Sequence, residues 1–282
     1  MHSTIVSADW LAAHLEDADL RILDASYFLP NVSRNADREF VEGHIPGALR
    51  FDIEEISDPT ASLPHMLPDA DLFEHAMQGL GVGEGMQVVV YDTQGLFSAA
   101  RAWWMFRYFG HDSVAVLDGG MPAWVAAGGG LQTGRGKVRT PPYPFRAKAR
   151  AGWVVDAETI AADLTHHTML ILDARASGRF QGRDPEPRAG MRAGHIPGST
   201  NLPFVELLDP ETKQLKSKAE LQDIFDNVAV GDQPVVVSCG SGVTACVLAL
   251  GLEVCGMPTP KLYDGSWSEW GTREDLPIEQ GA

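Results

Sequence analysis

The segment Ala193-Gly-His-Ile-Pro-Gly-Ser199 decides the fold, because the chain carries an earlier copy of it, Glu42-Gly-His-Ile-Pro-Gly-Ala48. Three more pairs of segments repeat in the same order, each pair separated by about half the chain. These are Arg21-Ile-Leu-Asp-Ala25 with Leu170-Ile-Leu-Asp-Ala174, Val88-Val-Val-Tyr-Asp92 with Val235-Val-Val-Ser-Cys239, and Leu117-Asp-Gly-Gly-Met-Pro-Ala-Trp124 with Tyr263-Asp-Gly-Ser-Trp-Ser-Glu-Trp270. The 282 residues therefore predict two copies of one fold.

Each copy alternates short apolar runs with helical patterns. The runs predict strands at Arg21–Asp24, Gln87–Tyr91, Val114–Leu117, Met169–Leu172, Pro234–Ser238 and Lys261–Tyr263. Helices are predicted at Ala8–His14, Asp69–Leu80, Ala99–Phe109 and Lys218–Phe225, the last preceded by a capping-box pattern at Ser217. Continuously apolar strands that alternate with helices indicate an α/β fold: two tandem domains, each a mainly parallel sheet flanked by helices on both faces. Functional sites of such sheets form at the carboxyl ends of the strands.

The two copies are joined by a segment that is dense in glycine and proline, from Gly128 to Pro144. This composition is typical of a linker that runs over the surface. We assign residues 1–130 to an N-terminal domain, 131–152 to the linker and 153–282 to a C-terminal domain.

Composition excludes several classes of function. The chain has 22 Lys and Arg against 38 Asp and Glu, a net charge of −16 that repels the phosphate backbones of nucleic acids. It shows no apolar run long enough to cross a membrane and no secretory signal pattern, and three cysteines do not form a disulfide framework. We expect a cytoplasmic protein that binds neither nucleic acid nor membrane. A small anionic substrate would require a local positive pocket.

The loop Cys239-Gly-Ser-Gly-Val-Thr-Ala245 follows the fourth matched strand and precedes an apolar helical stretch. Glycines allow backbone N–H groups to converge on one point, and a helix start adds partial positive charge. Both effects stabilise a thiolate, so Cys239 is the candidate nucleophile. The same N–H groups would hold the outer sulfur of a persulfide or a transferring anionic group. The residues assigned to this substrate-binding cradle are Gly240, Gly242, Val243 and Thr244.

Other uses of the cysteines fit less well. Cysteine phosphatases need an arginine six positions after the nucleophile to bind phosphate, and that position here is Ala245. Cys246 and Cys255 lie among apolar helix residues, so we interpret them as small buried side chains. Their spacing, without paired histidines nearby, does not indicate a zinc site.

These motifs together resemble the tandem rhodanese-domain sulfurtransferases, and the resemblance covers almost the whole chain. The resemblance rests on the two Gly-His-Ile-Pro-Gly segments, the loop that begins at Cys239 and the Tyr263–Trp270 ending. The loop is similar to the branch that uses 3-mercaptopyruvate. The thiosulfate branch typically has Cys-Arg-Lys-Gly, whereas Gly240 and Ser241 stand here. Thiosulfate is a compact dianion that benefits from cations beside the thiolate. Mercaptopyruvate carries its carboxylate further from the sulfur.

The resemblance implies roles for further residues. Arg179 and Arg188 would clamp the carboxylate and ketone oxygen of the substrate, for which a planar guanidinium is suited; the alternative is that they pair with Asp184 and Glu186. His65 would act with Ser241 and an acidic residue as a proton relay. The matching acidic residue is Glu54, one methylene longer than the expected aspartate.

The N-terminal copy is expected to be catalytically silent, because Asp92 stands where the other copy has Cys239 and a carboxylate cannot accept sulfane sulfur. Its loop, ending at Phe97 where the family often has tyrosine, would wall the cleft between domains. Arg101 and the neighbouring tryptophans are expected to pack between the domains, and the histidines of the two Gly-His-Ile-Pro-Gly segments are interpreted as structural.

The resulting hypothesis is a two-step enzyme. The Cys239 thiolate takes sulfur from 3-mercaptopyruvate, pyruvate leaves, and the persulfide passes its sulfur to a thiol such as reduced thioredoxin, or to cyanide. No metal or organic cofactor is required. Two alternatives are a thiosulfate sulfurtransferase of the same family and a non-catalytic carrier that receives persulfide from a partner. A carrier has little need of an arginine clamp.

Overall fold

The computed structural model describes residues 3–281, in which the two halves share one topology. The strands of the N-terminal sheet are β1 (Ile5–Val6), β2 (Leu20–Asp24), β3 (Leu49–Arg50), β4 (Gln87–Tyr91) and β5 (Val114–Leu117). Those of the C-terminal sheet are β6 (Val154–Val155), β7 (Leu170–Asp173), β8 (Thr200–Asn201), β9 (Val235–Ser238) and β10 (Lys261–Tyr263). All neighbouring strands are parallel. The strand order is β1-β5-β4-β2-β3 in the first sheet and β6-β10-β9-β7-β8 in the second, so each strand of the first sheet has its equivalent at the same place in the second.

Helices cover both faces of each sheet. The first half contains α1 (Ala8–His14), α2 (Ala36–Glu42), α3 (Ala70–Gly79), α4 (Ala99–Tyr108) and α5 (Gly120–Ala126). The second contains α6 (Ala157–Asp163), α7 (Ser177–Phe180), α8 (Lys218–Asn227), α9 (Ala245–Cys255) and α10 (Ser266–Trp270), with a 3-10 helix at Phe204–Leu207. Along β4, Val88 and Val90 face one apolar cluster and Val89 the other, as the alternation of a strand requires. The predicted α/β class is confirmed.

The predicted elements match the structure closely where they are long. Helix α1 and strands β4, β5 and β10 have the predicted limits, and every other predicted end lies within two residues of the observed one. Ser217 and Glu220 form the predicted capping box. The two-residue edge strands and the short helices α2, α5, α6, α7 and α10 were not predicted, because such short elements carry too little periodic pattern.

The segment between the halves departs from the expectation of a purely superficial linker. It contains no helix or named strand between α5 and β6, but Phe145 is buried and lies edge-on to Phe73 at 5.6 Å. Gln132 pairs with His44 in an isolated bridge. We propose that residues 131–152 belong structurally to the N-terminal half, because these contacts anchor them there.

The histidines of the two repeated segments have matching structural contacts. His44 stacks on Phe40 at 4.1 Å, and its Nδ1 lies 2.8 Å from the Phe40 carbonyl oxygen. His195 stacks on Phe180 at 3.8 Å, and its Nδ1 lies 2.9 Å from the Phe180 carbonyl oxygen. Each ring therefore fixes the turn of its own half, as the sequence suggested. Within residues 3–281, no helix has the length and apolar character needed to cross a membrane.

One apolar core runs through both halves, because α4 of the first half packs against α9 of the second. Helix α9 is almost entirely buried and is apolar except for Glu253 near its end, which pairs with Arg107, as expected of a helix enclosed on nearly all sides. Trp103 and Trp104 lie in this core, which confirms their predicted packing role.

A buried arginine ties the halves together at the same place. Arg101 on α4 is 1% exposed, and its Nη1 lies 2.8 Å from Asp264 Oδ1 in the C-terminal half. Its Nη2 donates to the carbonyl oxygen of His65 at 2.7 Å, and Nη1 also donates to that of Gly242 at 3.3 Å. The Leu67 N–H donates to Asp264 Oδ2 at 2.7 Å. One ion pair therefore fixes both sides of the cleft.

Replacing Arg101 with methionine should lower the free energy of unfolding by about 3–5 kcal/mol, because Asp264 would remain buried without its cation. Denaturant unfolding of the variant and the parent measures this difference. Arg38→Met is the matched control, since Arg38 and its partner Glu42 are both exposed and 3.5 Å apart. Equal stability of the Arg101 and Arg38 variants would contradict the assignment.

Candidate active site

The candidate nucleophile lies at the carboxyl end of β9. Cys239 follows the last strand residue and is 2% exposed, and α9 begins six residues later at Ala245. Gly242 has φ +72°, and a Cβ there would lie 3.0 Å from the Asp264 carbonyl oxygen. A side chain at this position would therefore be strained and crowded. Cys246 and Cys255 are buried in α9, as predicted, and burial raises the pKa of Cys246 to about 12.

The loop N–H groups divide into two sets. Those of Cys239 and Gly242 donate to Ser266 Oγ at 3.2 and 3.1 Å, and this hydroxyl donates to the Tyr263 carbonyl at 2.7 Å. The Gly242 N–H therefore already has an acceptor, and the assignment of Gly242 to the substrate-binding cradle stays a prediction. The N–H groups with no protein acceptor among the described residues are those of Gly240, Ser241, Val243, Thr244 and Ala245.

The N-terminal half shows what the equivalent loop does with an anion. Asp92 Oδ2 accepts backbone N–H groups from Phe97, Ser98 and Ala99 at 2.8 to 2.9 Å. Its Oδ1 accepts that of Gln94 at 2.9 Å. The strand-to-helix loop of this fold is therefore an anion-binding nest. In the C-terminal half the same position holds Cys239. Of the corresponding N–H groups, those of Ser241, Thr244 and Ala245 have no protein acceptor among the described residues, whereas that of Cys246 donates to the Val243 carbonyl oxygen at 3.2 Å.

Ser241 and His65 meet across the two halves. His65 Nδ1 lies 3.0 Å from Ser241 Oγ, although 176 positions separate them. His65 is 4% exposed, and this burial lowers its pKa, so the ring is neutral at pH 7. Glu54 Oε1 lies 3.9 Å from His65 Nε2, beyond a normal hydrogen bond, and the Glu54 side chain is 67% exposed. Contact with His65 lowers the pKa of Glu54, so Glu54 is a charged neighbour at the edge of the pair.

Arg179 lies against the nucleophile loop and pairs with a buried carboxylate. Its Nη2 is 3.1 Å from the point that a Cβ of Gly240 would occupy. Nε and Nη2 donate to Glu186 Oε2, whereas Nη1 has no acceptor among the described residues. Glu186 is held in turn by Arg175, whose Nη1 is 2.8 Å from Oε1. The ion pair that the sequence left as an alternative is thus present, and it orients Arg179 rather than removing it from the cleft.

Arg188 is the second predicted clamp residue. Its Nη2 donates to the hydroxyl of Tyr27 at 2.9 Å, and it forms no ion pair with a described carboxylate within 4.0 Å. Sequence reasoning did not identify Tyr27, which is buried and lies edge-on to the His65 ring at 4.7 Å. Asp264 and Ser266 were also missed as site residues. Their signal was the Tyr263–Trp270 segment, which indicated the duplication and the family resemblance but no site role.

A cavity of about 340 Å³ lies between the two halves and is lined by several of the side chains described above. Apolar and aromatic groups form much of its wall and the guanidinium groups its polar part, which is the usual character of a small-molecule site. The lining residues with functional groups are Tyr27, Asn31, Arg175, Arg179, Asp184, Arg188, Cys239, Ser241 and Thr244. Phe97 also lines it and contacts Phe204 across the domain boundary at 5.6 Å. Among residues 3–281, no cluster of His, Cys, Asp and Glu is arranged to hold a metal ion.

Comparison with known proteins identifies the family. The model of the rhodanese-like domain matches residues 7–127 and again 156–273. The chain belongs to the rhodanese family. An Escherichia coli relative named 3-mercaptopyruvate sulfurtransferase is 46% identical over 97% of this chain and 97% of its own length. An Arabidopsis thaliana relative named thiosulfate/3-mercaptopyruvate sulfurtransferase 1, mitochondrial, is 43% identical over 98% of this chain and 78% of its own length.

A solved structure extends the comparison to the rhodanese fold itself. The crystal structure of SseA from Escherichia coli, a 3-mercaptopyruvate sulfotransferase, superposes with a TM-score of 0.84. It is 43% identical and covers 95% of this chain and 100% of its own. The resemblance to tandem rhodanese-domain sulfurtransferases is therefore confirmed over both domains.

The buried neutral His65 predicts how stability depends on pH. An unfolded histidine titrates near pH 6.5, whereas the folded ring has a lower pKa. As pH falls below about 6.5, the unfolded state binds a proton that the folded state does not, so stability decreases by up to about 1.4 kcal/mol per pH unit. Denaturant unfolding between pH 7.5 and 5.5 should show a shallower loss for His65→Gln than for the parent. Identical slopes would contradict the assignment.

Proposed function

We propose that this rhodanese transfers sulfur from 3-mercaptopyruvate to a thiol acceptor through a persulfide on Cys239. The observation that carries the proposal is one cavity that contains Cys239, an uncharged loop beside it, and the Arg179 and Arg188 guanidinium groups. Neither cation belongs to the loop itself: Arg179 reaches the loop from α7 and Arg188 follows α7, which suits a donor whose carboxylate is separated from its sulfur. The family and the names of the relatives point to the same chemistry.

The first half-reaction loads sulfur onto Cys239, a step called charging below. The Cys239 thiolate attacks the donor sulfur, an S–S bond forms and the C–S bond breaks. The electron pair of the C–S bond stays on carbon, so pyruvate leaves as its enolate. Arg179 and Arg188 hold the carboxylate and the ketone oxygen, whose negative charge grows as the bond breaks. The free loop N–H groups bind the persulfide, as the matching N–H groups bind Asp92.

Ser241 and His65 complete the first half-reaction. The Ser241 hydroxyl protonates the enolate carbon and recovers a proton through His65, 3.0 Å away, which is replenished from solvent at the Glu54 side. The relay needs no external oxidant or reductant, because the carbon gains the electron pair that the sulfur gives up. Neither a metal nor an organic cofactor takes part.

The second half-reaction passes the outer sulfur to a thiol such as reduced thioredoxin, or to cyanide in an assay. A thiol acceptor requires a reducing compartment, and Cys239, Cys246 and Cys255 are all unpaired. We therefore propose action in the cytoplasm. Thiosulfate is the second candidate donor, because the Arabidopsis relative is named for both donors. It is disfavoured by the absence of cationic side chains from the loop at Gly240 and Ser241.

The donor assignment predicts a higher kcat/KM for 3-mercaptopyruvate than for thiosulfate, because the cations are placed for a distant carboxylate. Steady-state assays with cyanide as acceptor measure both. Cys239→Ser should abolish turnover with each donor, whereas the matched Cys255→Ser should retain it. A preference for thiosulfate would refute the substrate, and turnover by Cys239→Ser would refute the mechanism. Mass spectrometry of the charged enzyme should show one extra sulfur on Cys239 alone.

Arg179→Ala should raise KM for 3-mercaptopyruvate by roughly 10- to 100-fold, since a hydrogen bond to a charged group contributes about 1.5–3 kcal/mol. Arg183→Ala is the control, because the nearby Arg183 donates only to Gln181 among described side chains. An unchanged KM in the Arg179 variant would remove that residue from the substrate clamp.

A further inference from the structure

The wall of the active-site cavity carries one phenol group to which the mechanism assigns no role. Tyr27 lies three residues after the end of β2, in the loop that leads to α2, and its side chain is buried against the cavity. Phe97, on the same N-terminal wall, offers no hydroxyl. Tyr27 is thus the only residue of the first half that lines the cavity and has a hydroxyl group.

The contacts of Tyr27 leave its own proton unused. Its oxygen accepts a hydrogen bond from Arg188 Nη2 at 2.9 Å, and no described acceptor receives the phenol O–H. Accepting from a cation polarises the O–H and makes it a stronger donor. Burial raises the pKa of Tyr27, and negative charge on Glu54 and Cys239 raises it further, whereas Arg188 lowers it. The phenol is therefore protonated at neutral pH and close enough to sense the thiolate.

A hydrogen-bond donor of this kind would assist the charging step. When the C–S bond breaks, its electron pair moves onto the carbon and, by resonance, onto the ketone oxygen. A preorganised donor aimed at an oxygen that gains charge lowers the barrier more than it strengthens substrate binding. Arg188 and Tyr27 already form one hydrogen-bonded unit, so a ketone oxygen beside Arg188 is also beside the Tyr27 hydroxyl.

We propose that the Tyr27 hydroxyl donates a hydrogen bond to the ketone oxygen of the donor as it becomes an enolate. This inference rests on the proposed function, because it needs a donor with a ketone next to the carbon that releases sulfur. It also makes Tyr27 a specificity residue. Thiosulfate releases sulfite and forms no enolate, so its sulfur transfer gains nothing from this hydroxyl.

The experiment separates the two half-reactions in Tyr27→Phe, which keeps the ring on His65 and removes only the hydroxyl. Single-turnover mixing with 3-mercaptopyruvate follows pyruvate release, and mixing of charged enzyme with cyanide follows thiocyanate. Charging should slow by about 10- to 100-fold, the range expected for a hydrogen bond to a charged oxygen. Discharge, any turnover with thiosulfate, and KM for 3-mercaptopyruvate should stay within about threefold of the parent.

Tyr143→Phe is the matched control, since Tyr143 is exposed and lies in the segment between the halves; it should charge like the parent. A charging rate within twofold of the parent in Tyr27→Phe would overturn the inference. So would a raised KM with unchanged kcat, which would mean that Tyr27 only orients Arg188. Equal losses in charging and discharge would also overturn it. If the parent itself releases no pyruvate, the proposed function fails instead.

Discussion

Arg101 places a full positive charge at the junction of the two domains, where water cannot solvate it. The Asp264 carboxylate and two carbonyl oxygens compensate for the free energy lost when the guanidinium group leaves water. Those carbonyls belong to His65 in one half and Gly242 in the other. The relative position of relay and nucleophile loop therefore depends on this charge, because moving either domain would separate Arg101 from one of its partners.

Duplication explains why the loop at Cys239 suits an anion before any substrate arrives. Both halves turn from strand to helix with the same backbone, and in the first half the nest holds the Asp92 carboxylate. A carboxylate satisfies the N–H groups permanently and contributes to the stability of that half. With Cys239 in that position, the N–H groups of Ser241, Thr244 and Ala245 have no protein acceptor among the described residues. One architecture thus serves folding in one domain and chemistry in the other.

The sequence predicted those parts of the site that lie within one repeated segment. The strand, loop and helix around Cys239 follow from local pattern, and the resemblance supplied Ser241 and His65, which the structure brings to 3.0 Å. The sequence could not predict that the Gly242 N–H donates to Ser266, because Ser266 lies 24 positions away and is positioned by the next βα connection. Tyr27 was missed for the same physical reason. Its contacts exist only once the two halves are docked.

The charge distribution of the folded protein follows from these constraints. The chain as a whole carries −16, which disfavours anionic ligands at long range, so attraction must come from close contacts that water screens poorly. Glu186 holds Arg179 in place, yet leaves one guanidinium nitrogen free, whereas Arg188 has a phenol partner that does not neutralise it. Gly240 gives Arg179 room beside the loop. We therefore propose that donor selectivity depends on cations supplied from outside the loop rather than on charges within it.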